Sequence, residues 1–462
     1  MKPTQAQLYL PISVFGTDSL QKTTRGETNG RASNKLDPSD RAFHDWYRFV
    51  LSFPPHLVSS YIEDFGLDER HIILDPFCGT GTTLVESKLH RIRAIGLEAN
   101  IFAHFASSVK VDWDIDSDLF KKKTRHIARS TLELLNEQGL NDNSLQNRYT
   151  KEVPLRTLDP DTTRLLLSNS ISPLPLHKTL VLLDSLKEHE EQPYYRHALL
   201  ALANALVFRI SNLHFGPEVG VGRPKIDVPI VAPWLCEVDK IVNDMKLVKG
   251  KSFPGAKVYL GDARNISSLI DPNSVDAVIT SPPYPNEKDY TRTTRLESVI
   301  LGFIKNKAEL KDMKKNFIRS NTRGVYKGDE DDKYVEDQPE IQRIAESIEK
   351  RRKELGKDSG FERLYGRVTK LYFGGMTRHL AELRSVLRPG AQLAYVVGDQ
   401  ASYLRIMIRT GRLLADIAEA LGYQLTRIDL FRTRYATATR EQLREEVVVL
   451  RWPGKQREGQ TR

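Results

Sequence analysis

Thr280-Ser281-Pro282-Pro283-Tyr284 brings together groups that suit one kind of reaction. The serine hydroxyl and a proline carbonyl, left without a helical partner because proline fixes φ and donates nothing, are acceptors for the hydrogens of an aromatic amino group. The tyrosine ring is a face on which an extruded base can stack. An aromatic amine is a poor nucleophile because its lone pair is conjugated into the ring. Fixing both N–H bonds to acceptors favours a pyramidal nitrogen that attacks an electrophilic methyl carbon. Alignment and charge placement then suffice, with no metal or covalent nucleophile required. Taken alone, the run reads equally well as a proline-rich strand exit.

A second run, Asp75-Pro76-Phe77-Cys78-Gly79-Thr80-Gly81-Thr82-Thr83, follows the short apolar stretch Ile72-Ile73-Leu74. An acid at a strand end and a glycine turn let a ligand approach the backbone where a side chain would block it. No Lys-Ser/Thr pair follows, which excludes a phosphate-cradling P-loop, and the spacing is not GxGxxG. Glu98 ends the next β-rich run about 20 residues on, where α/β cofactor domains place an acid for ribose hydroxyls. Gly261-Asp262-Ala263-Arg264 closes a third run, and its acid could accept from an adenine amino group. Each acid by itself reads as readily as a solvated strand end.

The elements that must position these turns are legible from periodicity. Residues 1–40 read as a flexible arm, and 41–114 as the cofactor-binding half of an α/β domain, opening with an amphipathic helix that carries Leu57, Tyr61, Ile62 and Phe65 on one face. Strand, glycine turn, helix and strand over 72–98 begin a doubly wound, mostly parallel sheet. Residues 115–250 read as a helical insertion interrupted by the Gly/Pro-rich loop HFGPEVGVGRPK. The catalytic-motif part of the domain spans 251–290, a charged insertion 291–365, and the remainder of the domain 366–455, ending in the strand pair YQLTRIDLF and EEVVVLRW. The charged insertion is the candidate for target recognition, and within it 340–357 reads as readily as a solvated helix pair.

Together these motifs resemble the amino-methylating DNA methyltransferases, the N4-cytosine/N6-adenine family. DPFCGTGTT is similar to the family's cofactor loop, IGLEAN to the segment with its ribose-binding acid, GDAR to the adenine-side turn and TSPPY to the catalytic tetrapeptide. LSFPPHLV resembles the segment that wraps the methionine end of the cofactor, and RSVLRPGAQLAYVVGD the later structural motifs. The resemblance covers most of 43–110 and 255–450. It implies the Rossmann-like fold of class I methyltransferases, S-adenosyl-L-methionine as cofactor, and double-stranded DNA as partner ahead of RNA, with a restriction endonuclease as an associated partner. It implies Ser281, Pro282, Pro283 and Tyr284 as catalytic residues. Phe53, Pro54, Asp75, Pro76, Phe77, Gly79, Thr80, Gly81, Thr82, Glu98, Asp262 and Ala263 would bind the cofactor. The cofactor motif precedes the catalytic one, whereas many SPPY members have the permuted order. A leading serine points to cytosine N4, since adenine-directed members more often carry aspartate or asparagine there. Adenine N6 of DNA, a base amino group of transfer RNA, and a silent nucleic-acid-binding subunit are the alternatives.

Composition agrees with a polyanionic partner. The 462 residues carry a formal net charge of +9, and neutralised phosphates release counterions. Lys288, Arg292, Arg295, Lys314, Lys315, Arg319 and Arg323, interleaved with Phe317 and Tyr326, mix phosphate anchors with stacking faces. Two cysteines supply neither a zinc cage nor a disulfide framework, so no metal is expected. No apolar run reaches the roughly 18–20 residues of a membrane span, and no secretory signal is evident, so a cytoplasmic location is expected. The oligomeric state is not legible.

Overall fold

A computed structural model describes residues 40–49, 52–142, 154–215, 219–286, 288–436 and 441–454. The arm read over 1–40 therefore lies almost wholly outside the described residues. Helix α1 (Pro55–Asp64) starts with proline at its first position, where the missing N–H costs nothing, and buries Leu57, Val58, Tyr61 and Ile62. Strand β1 (Ile72–Asp75), helix α2 (Thr82–Leu89), strand β2 (Arg93–Glu98) and helix α3 (Ile101–Lys110) follow. Asn100 caps α3, its side chain accepting from the N–H groups of Phe102 and Ala103.

The helical insertion comprises α4 (Ser117–Glu137), the single turn α5 (Pro160–Thr163), α6 (Pro173–Lys187), α7 (Tyr195–Ala205) and α8 (Val231–Val248). The Gly/Pro-rich loop is more ordered than its composition suggests. Strands β3 (Leu213–Phe215) and β4 (Val219–Val221) pair antiparallel within it. The insertion is no separate body, because Phe102, Val109, Ile127, Leu182, Leu202 and Trp234 share one apolar cluster with α2 and α3.

Strands β5 (Ala256–Leu260) and β6 (Val275–Thr280) return the chain to the sheet. Between β6 and the next strand lie α9 (Tyr290–Thr293), α10 (Arg295–Ile300), α11 (Lys307–Lys315), α12 (Pro339–Glu354) and α13 (Tyr365–Leu383). The stretch read as a solvated helix pair is the one helix α12. Its Ile341, Ile344 and Ile348 are buried in a cluster with Val368 and Tyr372 of α13, so apolar spacing won over charge. Strand β7 (Leu387–Gly398), helix α14 (Thr410–Ala420) and the antiparallel pair β8 (Gln424–Ala436) and β9 (Glu441–Arg451) complete the chain.

The seven-stranded sheet runs β5-β2-β1-β6-β7-β9-β8. The first five strands are parallel, and β9 enters antiparallel between β7 and β8. This is the Rossmann-like, mostly parallel architecture expected. The strand order reverses between β1 and β6, and in open α/β sheets ligands bind outside the carboxyl ends of the strands at that switch.

Candidate active site

Two turns meet at the switch. Leu74 on β1 is in register with Val278 on β6, so Asp75 and Thr280 end neighbouring strands. Thr280 Oγ1 donates to Asp75 Oδ1 at 2.6 Å, and Thr83 Oγ1 donates to the Ile279 carbonyl at 3.1 Å. Asp75 also accepts from the Phe77 N–H at 3.1 Å. Burial, only partly offset by these bonds, pushes its carboxyl up to about 6.

The glycine turn depends on backbone that side chains resist. Gly79 and Gly81 adopt φ +51° and +84°, and a Cβ on Gly81 would meet Ser107 Cβ at 3.0 Å. No side chain caps α2 behind it. Glu98 holds the turn from β2: Oε2 accepts from the Gly79 N–H at 2.8 Å and Oε1 from the Asn100 N–H at 2.7 Å. Burial pushes the Glu98 carboxyl up to about 7. Glu98 lines the cavity beside this turn.

That cavity is about 490 Å³ and lies over both turns. Within it are Ser281, Pro282, Pro283 and Tyr284, together with Pro76, Phe77, Gly79, Thr80, Thr82 and Glu98. Phe53, Pro54 and Ala263 complete the anticipated residues found there, and Lys288 stands at the same cavity. The size fits a nucleoside-sized ligand with a second planar group. The lining offers what S-adenosylmethionine needs: a carboxylate beside a glycine turn, apolar Phe77 and Ala263, and an uncapped helix start. Thr80, which lines the cavity, has its Oγ1 buried with no hydrogen-bond partner in the protein. Such an orphaned polar atom is what a polar ligand or water would satisfy.

The Ser281–Tyr284 turn is held from beneath by β7. Ser281 Oγ donates to the Val396 carbonyl at 3.2 Å, which leaves its lone pairs for a donor in the cavity. The Tyr284 N–H donates to the Tyr290 hydroxyl at 3.3 Å. A Cβ on Gly398, the last residue of β7, would meet Tyr284 Cε2 at 3.0 Å. The ring therefore packs where only glycine leaves room. Burial and then the Glu445 carboxylate raise the Tyr284 phenol above its ordinary value, so it is neutral at physiological pH.

Several anticipated residues lie elsewhere. Asp75 and Gly81 shape the turn from behind the cavity wall. Asp262 is turned away to Arg264, which donates from Nε to Oδ1 at 2.9 Å and from Nη2 to Oδ2 at 2.7 Å. Charge pairing thus claims the carboxylate expected to face an adenine, and Gly261 and Ala263 line the cavity in its place. The basic set divides likewise. Arg319 is buried against Asp329 and donates to the Lys314 and Phe317 carbonyls, Lys314 is paired with Asp289 at 2.7 Å, and Arg295 donates to Thr291 Oγ1 and the Leu165 carbonyl. These three brace the insertion from inside, which is at odds with their reading as phosphate anchors. Lys315 is exposed beside Asp312, Arg323 is exposed with its guanidinium 6.0 Å from the Phe361 ring, and Arg292 is half-buried on α9.

Sequence reasoning missed a whole wall. Phe431, Arg432, Arg434, Leu443 and Glu445 of the β8–β9 pair line the cavity, as does Phe49 ahead of α1. The segment before Phe49 is anchored by Tyr47, whose hydroxyl donates to the buried Glu297 on α10. Only the alternation of Arg432 and Arg434 along a strand hinted at this wall. Among the described residues no cluster of His, Cys, Asp and Glu is arranged to hold a metal ion, and no helix is long and apolar enough to cross a membrane.

Residues 17–107 match the family model described as DNA methylase, a stretch that contains the glycine turn and Glu98. The chain is 26% identical over 447 residues to the type II methyltransferase M.BsoBI of Geobacillus stearothermophilus, covering 89% of this chain and 84% of the relative. It is 22% identical to the type II methyltransferase M.AvaI of Nostoc sp. and of Anabaena variabilis, covering 91% of this chain and 88% of each relative. The similarity thus runs through both insertions as well as the sheet. These matches support placing the chain with the amino-methylating DNA methyltransferases, a family that takes its methyl group from S-adenosylmethionine.

Proposed function

We propose that this chain is a type II, site-specific DNA methyltransferase that modifies the N4 amino group of cytosine in double-stranded DNA. What supports the reading is one observation: the Ser281–Tyr284 turn and the glycine turn wall a single cavity, with Thr280 bonded directly to Asp75. The leading Ser281 supports cytosine over adenine through the resemblance, because adenine-directed members more often carry aspartate or asparagine there; both bases offer the same amino hydrogens to its lone pairs.

Bound S-adenosylmethionine supplies a methyl carbon on a sulfonium, whose leaving group is a neutral thioether. Gly79, Thr80 and Gly81, with Asp75 behind them and Thr82 opening α2, would take its methionine end, with Phe53 and Pro54 closing over it. Glu98 would accept from the ribose hydroxyls, and Phe77 and Ala263 would flank the adenine. The target base would leave the duplex stack and rest on the Tyr284 ring, positioned by Pro283. Ser281 Oγ and the Pro282 carbonyl would accept its two amino hydrogens, aiming the nitrogen lone pair across the cavity. A proton leaves the nitrogen once it is alkylated, and water at the cavity mouth is base enough for so acidic a cation. A paired restriction endonuclease would act on the same sites left unmethylated, as the type II designation of the relatives suggests.

The test is methyl transfer from labelled S-adenosylmethionine to unmethylated plasmid DNA, with mass spectrometry of the digested nucleosides. N4-methylcytosine is expected, and N6-methyladenine in its place reassigns the base. Ser281→Ala and Tyr284→Ala should abolish transfer while cofactor binding persists. Loss of cofactor binding in both contradicts the assigned roles.

A further inference from the structure

The cavity wall formed by β8 and β9 has a construction of its own. Leu430 opposes Glu446 and Arg432 opposes Glu445, so two steps along β8 match one along β9 and Phe431 is the extra residue. Such a bulge re-aims the side chains beyond it. Leu430 is left 52% exposed, while Arg432 and Arg434, two apart on one strand face, are carried onto the cavity side together with Phe431. Leu443 and Glu445 meet them from β9.

Glu445 organises the pair. Its Oε2 accepts from Arg432 Nε, and its Oε1 lies 3.1 Å from Arg434 Nε. Two guanidinium groups against one carboxylate leave a net positive charge at this wall. The two arginines are not equivalent: the Arg432 side chain is 14% exposed and that of Arg434 46%. Arg432 is the brace and Arg434 the reaching group. Tyr284 Cε2 and Glu445 Cγ lie 3.0 and 3.3 Å from where a Cβ on Gly398 would stand, so Glu445 and the Arg434 it holds line the cavity beside the ring proposed to stack the extruded base.

Resting on the proposed base-flipping function, the geometry points to Arg434 as a phosphate ligand for the extruded nucleotide, fixed by Glu445 and assisted by Arg432. A base lying on Tyr284 must leave its sugar-phosphate at the cavity mouth, and a guanidinium is the group that recognises phosphate with two donors in a fork. The competing anion is the cofactor's own carboxylate. Phe53, proposed to close over the cofactor's methionine end, packs in one apolar cluster with Phe431 of β8, so the cofactor titration must separate the two anions.

The test uses the full chain, labelled S-adenosylmethionine and unmethylated plasmid DNA. Arg434→Gln should raise the KM for DNA about tenfold. It should also lower the slope of log affinity against log salt by about 1, the signature of one lost phosphate contact. Affinity for S-adenosylmethionine should not change, and Arg434→Lys should recover most of the salt slope by restoring the charge. An unchanged DNA KM and salt slope in Arg434→Gln, with the parent enzyme active, overturns the phosphate assignment alone. Weakened cofactor binding with an unchanged salt slope also overturns it, in favour of the cofactor carboxylate. A parent enzyme that transfers no methyl to DNA overturns the underlying function and this inference with it.

Discussion

Thr280 Oγ1 and Asp75 Oδ1 lie 2.6 Å apart, both residues fully buried, at the ends of adjacent parallel strands separated by 204 residues of chain. This bond ties the Ser281–Tyr284 turn to the turn that carries the glycines. Thr280→Val keeps the shape and removes the donor, leaving the Asp75 carboxyl with the Phe77 N–H. Unfolding free energy should fall by about 1–3 kcal/mol. Urea unfolding checks this, and an unchanged midpoint would mean that the bond contributes nothing net.

Gly398 lies under the Tyr284 ring with no space for a methyl group. In Gly398→Ala the ring must give by a few tenths of an ångström. A displacement approaching 1 Å lowers rate by up to about 100-fold when geometry limits the reaction. We expect kcat to fall while the affinity for S-adenosylmethionine is retained, since the glycine turn is on other strands. Steady-state methyl transfer beside a cofactor titration separates the two, and an unaltered kcat would show the ring position to be unimportant.

Glu98 links cofactor affinity to pH. Its carboxyl, ordinarily near 4.5, is held at about 7 by burial. On the proposed role, ribose hydroxyls would donate to the ionised form, so below about 7 binding would first have to expel a proton. Affinity for S-adenosylmethionine should therefore rise between pH 6 and 8. Glu98→Gln should flatten that profile and weaken binding about tenfold. The same shift acts oppositely on the cofactor-free fold. The unfolded chain ionises first, so Glu98 makes the fold progressively less stable as pH rises from 4.5 through 7. Calorimetric titrations across this range, with melting curves of both proteins, test both directions.

Arg264 sits between two carboxylates, the half-buried Asp262 and the buried Asp331, at 2.7 and 2.5 Å. Asp331 has Arg378 as a second partner at 2.7 Å, whereas Asp262 has only Arg264 as its ion-pair partner among the described residues. Arg264→Met strands the Asp262 charge and should cost about 3–5 kcal/mol. Adding Asp262→Asn should recover part of that loss. Denaturant melts of the single and double variants would show the recovery, and its absence would mean that Arg264 acts through packing alone.

How much was legible follows from where each determinant lies along the chain. Strand, turn and helix over 72–98 are local events: an apolar run, an acid and glycines at left-handed positions specify their own conformation. The same holds for the Ser281–Tyr284 turn, whose prolines set its backbone. The five parallel strands followed from the alternation of apolar runs with helical periods. The sequence by itself therefore determined the fold class, the methyl-transfer chemistry and both turns.

Tertiary structure decided which polar groups face the cavity. Asp262 and Arg319 look like ligands in the sequence, yet low-dielectric burial makes an internal partner more favourable than a solvated charge, and Arg264 and Asp329 supply those partners. Phe431, Arg432 and Arg434 read as ordinary strand residues because one bulge, visible only when β8 is paired with β9, turns them inward. Phe49 depends on Tyr47 reaching Glu297, 250 positions away. Local conformation is encoded residue by residue. The side of a strand that meets the ligand is set by register against a neighbour, and register exists only once the sheet has formed.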